Sequence, residues 1–295
     1  MDLQSLRYFR VVARHQHISR AAEELMVAQP SLSRSIARLE ADLGVPLFDR
    51  RGRQVRLNGS GEAFLRRVDR ILGEMDDARR ELTDASGKVE GTVALASETM
   101  LTLLGALSEF RAAEPGIRVR LYQSRADSMQ RLLRVREVDF CVASQPLEGA
   151  ALELRELVTE EVLLAVPPDH RLAGRDRVSV AELDGEPFIA PRPGYWPREL
   201  GDRLFERAGA APDIVCEGDE PGSIQYLIEA GLGVGLIPAM ARDSATRAEV
   251  AWVRLDTEEA ARTLTLAWHR DAYLSAAARR FRDFVTDWFA DRIRP

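Results

Sequence analysis

Cysteine and lysine are scarce in this 295-residue sequence. Its two cysteines, Cys141 and Cys216, cannot form a framework of several disulfides and lack the paired spacing of a zinc site. We interpret them as small apolar core residues, with a redox switch as the alternative. Lys88 is the only lysine among 41 basic residues, so arginine is used in place of lysine throughout the sequence. The abundance of arginine therefore does not identify any single arginine as a binding residue.

Long apolar runs are also missing. No stretch approaches the roughly 18 residues that span a bilayer, and the first residues, MDLQSLRYFR, lack the apolar core of a signal peptide. We therefore expect a cytoplasmic protein. The four histidines are scattered, and no catalytic triad, carboxylate pair or metal cluster can be assembled with any specificity. The sequence thus predicts no catalytic residues, no metal and no cofactor.

Charge is distributed unevenly along the chain. The whole sequence has 41 basic and 47 acidic residues, a net charge of −6. Residues 1–58 contain ten arginines and six acids, net +4, which leaves 31 basic and 41 acidic residues, net −10, in residues 59–295. The overall negative charge therefore does not exclude a nucleic-acid partner for the basic N-terminal segment.

The first 58 residues carry the pattern of three helices followed by two short strands. Apolar residues at helical spacing predict helices over residues 3–14 and 18–25. A third helix is predicted from Gln29 to Leu43, where Gly44 ends it. Its buried stripe consists of Leu32, Ile36, Leu39 and Leu43.

The opposite face of the third helix is short, polar and positively charged. Such a face fits the major groove and presents hydroxyl and guanidinium groups to base edges and phosphates. Strands predicted at residues 46–48 and 55–57 flank an arginine-rich loop, the pattern of a wing that approaches the minor groove or the DNA backbone. A small three-helix domain of another purpose is the alternative. The candidate DNA contacts are Ile18, Ser19, Arg20, Gln29, Pro30, Ser31, Ser33, Arg34, Arg38, Arg50, Arg51 and Arg53.

A long helix is predicted from Ser60 to about Ala85. Its apolar residues alternate at spacings of four and three, which is the pattern of a heptad seam. Pairing with a second helix is the favoured interpretation, and packing on its own domain is the alternative. The predicted seam consists of Phe64, Val68, Ile71, Met75, Ala78 and Leu82.

The remainder of the chain alternates short apolar strands with helices, the rhythm of an α/β domain. Strands are predicted at residues 93–96, 119–121, 140–143, 162–166, 188–190, 214–216, 234–237 and 264–268, and helices at 100–113, at 127–137 and at the C-terminal end. Three glycines at 231, 233 and 235 precede a strand and not a helix, so they do not form a dinucleotide-binding loop.

Four blocks of the N-terminal segment resemble the signature of LysR-type transcriptional regulators. They occur in the order and at the spacing that this family has. They are ISRAAEEL at 18–25, AQPSLSRSIARLE at 28–40, LGVPLFDR at 43–50 and LNGSGE at 57–62. The later chain resembles the family's effector domain through Gly91–Ala96, AGLGVGLIP at 230–238 and Trp268. The resemblance covers the whole length and is strongest at the front.

This resemblance implies an α+β protein in three parts. They are an N-terminal winged helix-turn-helix at 1–58, a linker helix for dimerisation at 59–88, and a C-terminal α/β periplasmic-binding-protein-like effector domain at 89–295. The effector domain would have two subdomains, at about 90–163 with 267–295 and at about 164–266, joined by strands that cross near Leu164 and Leu266. A small molecule would bind in the cleft between them.

The resemblance places several loops at this cleft. Ser97, Thr99 and Met100 follow the first strand, although helix capping explains the two hydroxyl side chains equally well. Where the family often has glycine, a polar residue and Ser or Thr, this chain has Ser124, Arg125 and Ala126. Either this chain lacks the family's usual pocket for a carboxylate, or Arg125 replaces the polar residue that contacts the effector.

Further candidate effector contacts are Gln145, Arg192, Tyr195 and Trp196. An arginine beside two aromatic rings suits an aromatic acid, although these residues could equally pack their own loop. The neighbouring acids Glu98, Glu217, Asp219 and Glu220 leave a cationic or hydroxylated ligand as the alternative.

The implied partners are double-stranded DNA with a pseudo-palindromic operator, an anionic or aromatic small-molecule effector, RNA polymerase, and further copies of the chain as a dimer of dimers. An effector that prefers the closed cleft would change the spacing of the DNA-binding domains. Two alternatives are an enzyme that its N-terminal domain only regulates, and a constitutive DNA-binding protein whose body only oligomerises.

Overall fold

The computed structural model describes residues 1–51, 54–85, 90–149, 151–242 and 247–293. The contacts within the chain divide it into two compact units. The first comprises Met1–Lys88 and Arg134–Arg136, and the second comprises Val89–Leu133 and Glu137–Pro295. Among the described residues, no helix combines the length and the apolar character that crossing a membrane requires.

The described part of the first unit contains four helices and one β-hairpin. In chain order they are α1 (Leu3–His15), α2 (Ile18–Glu24), α3 (Gln29–Leu43), β1 (Phe48–Arg51), β2 (Gln54–Leu57) and α4 (Gly59–Asp84). The helices surround one apolar core in which Phe9, Val12 and Leu32 are fully buried. This arrangement confirms the predicted winged helix-turn-helix, with the β1–β2 hairpin as its wing.

Local chemistry explains where these helices begin and end. Asp2 caps α1 by accepting the N–H of Ser5 at 2.7 Å. Helix α3 ends because Gly44 adopts a φ of +72°, a left-handed conformation that costs glycine little. Asn58 caps α4 by accepting the N–H of Gly61 at 2.8 Å. These signals are local in sequence, and the predicted bounds of α3 agree with the structure.

The first strand of the wing lies further along the chain than predicted, at Phe48–Arg51 instead of residues 46–48. Arg50 and Arg51, which we expected in the loop, belong to β1 and pair with Val55 and Gln54. Antiparallel backbone hydrogen bonds extend the ladder towards the tip, so the assignment of these two arginines to the loop is wrong. Arg53 lies outside the described residues.

Helix α4 uses its apolar residues in two ways. The ring of Phe64 packs 5.1 Å from that of Phe9, and Val68 is fully buried in the core of the first unit. The predicted seam is therefore wrong for Phe64 and Val68, because the small helix-turn-helix needs both side chains to complete its own core. The other four seam positions are exposed and are called the α4 stripe: Ile71, Met75, Ala78 and Leu82.

The second unit consists of two α/β lobes. Its elements in chain order are β3 (Gly91–Ser97), α5 (Leu104–Ala113), β4 (Ile117–Gln123), α6 (Ala126–Arg134), β5 (Phe140–Ala143), β6 (Leu152–Val166), β7 (Arg177–Val178), β8 (Pro187–Ala190), α7 (Trp196–Ala208), β9 (Asp213–Glu217), α8 (Pro221–Glu229), β10 (Gly235–Pro238), β11 (Ala251–Leu255), β12 (Ala261–His269) and α9 (Ala276–Ile293).

The first lobe is built on a sheet in the order β4–β3–β5–β12. Strand β3 pairs parallel with β4 and β5, and β12 pairs antiparallel with β5. Leu95 of β3 packs with Phe110 and Phe281 in one core, whereas the next residue, Ala96, packs with Met129 in another. Helices therefore cover both faces of this sheet, which explains why β3 is apolar along its length.

The second lobe continues from β6. Residues 162–166 pair antiparallel with β10 and β11, β11 pairs parallel with β7, and β8 pairs parallel with β9. Trp196 and Leu200 of α7 pack with Phe188 in the main core of this lobe. Trp196 is the first residue of α7. It therefore belongs to a helix and not to the loop in which we had expected it.

Strands β6 and β12 connect the lobes. Their pairing runs from Leu152 opposite His269 to Glu161 opposite Ala261, and β6 then continues into the second lobe. The sequence predicted only residues 162–166 of β6, because the first ten residues of the strand carry many charged side chains.

The position of the crossing also differs from expectation. Leu164 pairs with Leu236 inside the second lobe, and Leu266 pairs with Val142 inside the first. The lobes meet a few residues away from both, close to the pairing of Glu160 with Arg262. The apolar runs that guided the prediction mark the sheet cores, whereas the crossing itself carries charged side chains.

Candidate DNA-binding surface and effector cleft

Helix α3 presents the predicted DNA-contacting face to solvent. Leu32, Ile36 and Leu39 are buried in the core of the first unit, so the opposite face points outward. On that face Ser33 is half-buried, and the exposed residues are Gln29, Pro30, Ser31, Arg34 and Arg38. Exposed guanidinium groups among short polar side chains can donate hydrogen bonds to base edges and phosphates.

The start of α2 carries three further predicted contacts. Ser19 and Arg20 are exposed, and Ile18 is half-buried against the core. The ring of His17 caps this helix, with Nδ1 accepting the N–H of Arg20 at 3.5 Å. The cap leaves the Arg20 side chain at the surface.

Two side chains that sequence analysis did not single out hold the wing in place. Glu40 of α3 accepts the backbone N–H groups of Leu47 at 2.8 Å and Phe48 at 3.2 Å. The Asn58 amide donates to the carbonyl oxygen of Pro46 at 3.0 Å. Both residues lie in the blocks that resemble the LysR signature, and those blocks were the available signal.

Helix α4 approaches the wing very closely at Gly61. A Cβ atom on this residue would stand 2.1 Å from the carbonyl oxygen of Leu47 and 2.7 Å from the side chain of Leu57. Gly59, one half-turn earlier, faces open space. Of these two glycines, packing therefore requires only Gly61.

In the second unit, the loop after β3 contributes Ser97 and Thr99. Both side chains are buried, and Ser97 Oγ donates to the carbonyl oxygen of Thr99 at 2.8 Å. Thr99 Oγ1 accepts the N–H of Leu101 at 3.3 Å and donates to a carboxylate oxygen of Glu220 at 3.1 Å. Ser97 thus shapes the loop, whereas Thr99 contacts the opposite lobe.

Glu220 of the second lobe reaches three donors of the first. Besides Thr99, its carboxylate accepts the N–H of Met100 at 3.4 Å and the side-chain amide of Gln123 at 2.6 Å. We call these three contacts the Glu220 clasp. Thr99 and Met100 were expected as effector contacts and Glu220 only as a nearby acid, whereas Gln123 was not expected at this site.

A buried ion pair lies where the two lobes meet. Arg262 of β12 and Glu160 of β6 are joined from Nε to Oε1 at 2.7 Å, with 1 % and 6 % of their side chains exposed. Arg262 also donates to Thr102 Oγ1 at 3.0 Å, and the ring of Trp196 lies 5.0 Å from its guanidinium carbon. Trp196 therefore packs against the crossing strands and not on the open surface.

Glu98 lies beside this ion pair and is also buried. Its carboxylate accepts the N–H of Ser144 at 3.0 Å. Burial raises the pKa of the Glu98 carboxyl, a rise that the hydrogen bonds of Ser144 and the charge of Arg262 oppose and the charge of Glu199 increases.

Gln145 makes a second contact across the cleft. Its side-chain amide donates to the carboxylate of Glu199 on α7. The two lobes are thus joined by side chains at Gln145 as well as at the Glu220 clasp.

An open cavity of about 550 Å³ adjoins the clasp. Arg192 is at its edge and donates Nε to Asp219 at 2.7 Å, which raises the pKa of Arg192 and lowers that of Asp219. Arg125 donates to Asp127 at 3.0 Å. Both arginines that we expected to pair with an anionic effector already have a carboxylate partner. The cavity is lined by Gln123, Ser124, Arg125, Ser128, Arg192, Pro193, Tyr195 and Glu217.

The two cysteines stand on separate strands. Cys141 of β5 is fully buried, and burial raises the pKa of its thiol, whereas Cys216 of β9 is half-buried. Within the described residues, no group of three or more His, Cys, Asp or Glu is arranged to hold a metal ion.

Two protein-family descriptions match nearly the whole chain. The "LysR substrate binding domain" matches residues 86–290, and the "Bacterial regulatory helix-turn-helix protein, lysR family" matches residues 3–62. The chain belongs to the LysR family of transcriptional regulators.

This LysR-family regulator is 34 % identical over 294 residues to the uncharacterised HTH-type transcriptional regulator YybE of Bacillus subtilis (strain 168), covering 99 % of this chain and 100 % of YybE. It is similar to a solved full-length OxyR variant from Pseudomonas aeruginosa, with a TM-score of 0.71, 24 % identity, and 98 % and 94 % of the two chains covered. It is also similar to full-length CbnR in a complex with its target DNA, with a TM-score of 0.63, 23 % identity, and 97 % and 99 % covered. At these identities the two solved structures show a shared fold.

Membership of the family gives each unit of the LysR-family regulator a role. The first unit holds the helix-turn-helix that binds DNA, and the second holds the domain that binds a small-molecule effector. The predicted fold class and the predicted general function are thereby confirmed.

Proposed function

We propose that this regulator reads a pseudo-palindromic operator with α3 in the major groove and the wing beside it. The observation that carries the proposal is the exposed face of α3, where Arg34 and Arg38 stand one turn apart among short polar side chains. Arg20 and the wing arginines at 50, 51 and 53 would contact the phosphate backbone or the adjacent minor groove.

The α4 stripe supports a homodimer as the DNA-binding species. Ile71 and Met75 are 43 % and 37 % exposed, and Leu82 is 76 % exposed. Such a row of apolar side chains at heptad spacing is stabilised when a second copy covers it. We propose that two dimers join as a tetramer on two half-sites, with residues 1–58 as the DNA-binding domain, 59–88 as the dimerisation helix and 89–295 as the effector domain.

We infer that the cleft of the second unit binds a small anionic effector without transforming it. Neutral donors of Thr99, Met100 and Gln123 meet there, next to the cavity lined by Arg125, Arg192 and Tyr195. In the described part of the cleft, Arg125, Arg192 and Arg262 each pair with a carboxylate, which favours recognition over catalysis. Binding would change how the lobes close and, through the dimer, how the regulator bends DNA and meets RNA polymerase in the cytoplasm.

The test of DNA recognition is Arg34→Ala. If this side chain donates to a base edge, affinity for the operator falls by about 1–3 kcal/mol because the base contact is lost. Gel-shift titration measures the change on a DNA fragment that the parent protein selects from random sequence. Circular dichroism verifies the fold of the variant.

Arg70→Ala is the matched control. Arg70 is exposed on α4, so its replacement removes the same charge from the same unit but from a different helix. We expect near-parent affinity for Arg70→Ala. Equal affinity of a folded Arg34→Ala and the parent would remove Arg34 from the recognition surface.

A further inference from the structure

The Glu220 clasp is made by a carboxylate of the protein itself. Glu220 immediately precedes α8, a position where an acidic side chain commonly caps the N–H groups of its own helix, yet it makes no such bond. Its oxygens instead accept from Thr99, Met100 and Gln123 of the other lobe, at 3.1, 3.4 and 2.6 Å. The side chain is therefore used to join the two lobes and not to stabilise its own helix.

The donors of the clasp are held in place by their own lobe. Thr99 Oγ1 accepts the N–H of Leu101 at 3.3 Å, which directs the hydroxyl proton towards Glu220. The Gln123 amide also donates to the carbonyl oxygen of Glu98 at 3.3 Å. Because neither contact depends on Glu220, the donors form a preorganised carboxylate site that persists when this side chain leaves.

We propose that Glu220 is a tethered ligand of this site, holding the lobes together without effector until a small carboxylate effector displaces it. The inference rests on the proposed function, since it states how the effector of that cleft acts. A tethered carboxylate has a high effective concentration and so lowers the apparent affinity of a free one. All three donors are neutral, so the exchange breaks no ion pair.

The test is chemical rescue of Glu220→Ala in the full-length protein, with acetate as the probe. Removing the carboxylate leaves the three donors without their partner, so the midpoint of thermal unfolding falls below that of the parent. Acetate then binds the vacated site and raises this midpoint in a saturable way by at least about 2 °C. The parent is expected to show no saturable response, because Glu220 already occupies the site.

Three controls make the rescue specific. Sodium chloride at equal ionic strength accounts for salt, and acetamide presents the same shape without the negative charge. Glu206→Ala removes an exposed acid of the same lobe, on α7, and should behave as the parent does in acetate. Equal acetate shifts in Glu220→Ala, Glu206→Ala and the parent, or no shift in any of them, would overturn the proposal.

A double-mutant cycle keeps the proposal testable if Glu220→Ala does not fold. Glu220→Gln and Gln123→Ala are compared singly and together by their midpoints of urea unfolding. The clasp predicts that the double variant loses less stability than the sum of the two single losses, because Gln123→Ala removes the same contact that Glu220→Gln weakens. Strict additivity would refute the contact.

The inference and the proposed function fail in different ways. If acetate does not rescue Glu220→Ala while a natural effector still alters operator binding by the parent, the tethered-ligand role is wrong and the effector cleft stands. If acetate rescues the variant but no carboxylate alters operator binding, the clasp exists and the proposed regulatory role is wrong.

Discussion

The side chain of Glu98 shows how strongly the cleft alters a single residue. Only 4 % of the residue is exposed, and its carboxyl lies beside the buried pair of Arg262 and Glu160. Burial disfavours the charged form more than Ser144 and Arg262 favour it, so the pKa is raised. Such a group makes the stability of the second unit depend on pH.

We expect Glu98→Gln to reveal this dependence. A raised folded-state pKa means that the folded chain binds the Glu98 proton more tightly than the unfolded chain, so the contribution of this residue is full at low pH. It is lost as pH rises from the unfolded pKa, about 4.3, through the raised folded one. Glutamine has no proton to release, so the variant should gain stability relative to the parent over that window.

The measurement is urea unfolding followed by tryptophan fluorescence at several pH values. Glu206→Gln, on the exposed surface of α7, serves as the control and should track the parent throughout. Parallel stability curves for Glu98→Gln and the parent would show that the Glu98 carboxyl titrates alike in the folded and unfolded chains.

Helices and strands were predictable from the sequence where their bounds depend on neighbouring residues. They were not predictable where a strand depends on pairing with a distant segment. The bounds of α3 follow from its apolar stripe and from Gly44, all within one short segment. The first ten residues of β6 could not be recognised, because their partner strand lies far along the chain. Glu160 and Arg262, for example, are 102 residues apart in sequence.

The candidate sites divide in the same way. The exposed face of α3 follows from helical periodicity, and the loop of Thr99 and Met100 follows from the family resemblance. Gln123 and Glu220 become partners only when the two lobes come together, 97 residues apart in sequence, and no local pattern reports that contact. The pairing of Arg192 with Asp219 likewise depends on how two loops pack together, and no local pattern predicts it.

Helix α4 carries the proposed dimer interface. Met75 lies in the middle of the α4 stripe, so Met75→Asp would place an unpaired carboxylate in the proposed dimer interface. Burying an unpaired charge costs about 3 kcal/mol or more, so the dissociation constant should rise at least about 100-fold. Sedimentation equilibrium of the full-length protein measures this change.

Thr83→Asp introduces the same charge on an exposed position of α4 outside the stripe and is expected to leave the dimer intact. Unaltered association of a folded Met75→Asp variant would mean that another surface forms the dimer.

At the scale of the whole molecule, the two units have separate apolar cores. All four tryptophans, at 196, 252, 268 and 288, belong to the second unit. Tryptophan fluorescence therefore follows the unfolding of the second unit, whereas far-ultraviolet circular dichroism follows both. Each unit also contains a position whose replacement acts by a defined mechanism, Gly61 in the first and Arg262 in the second.

We expect substitutions at these two positions to destabilise the two units independently of each other. Gly61→Ala forces a Cβ atom against the Leu47 carbonyl and should destabilise the first unit by about 1–3 kcal/mol, seen by circular dichroism with the fluorescence transition unmoved. Gly59→Ala, with open space around it, should be neutral.

Arg262→Met leaves Glu160 buried without its partner and should lower the stability seen by fluorescence by about 3–5 kcal/mol. Adding Glu160→Gln to that variant should restore most of the loss, because the unpaired charge is gone. If either single variant instead moved both signals together, the two units would unfold as one cooperative body.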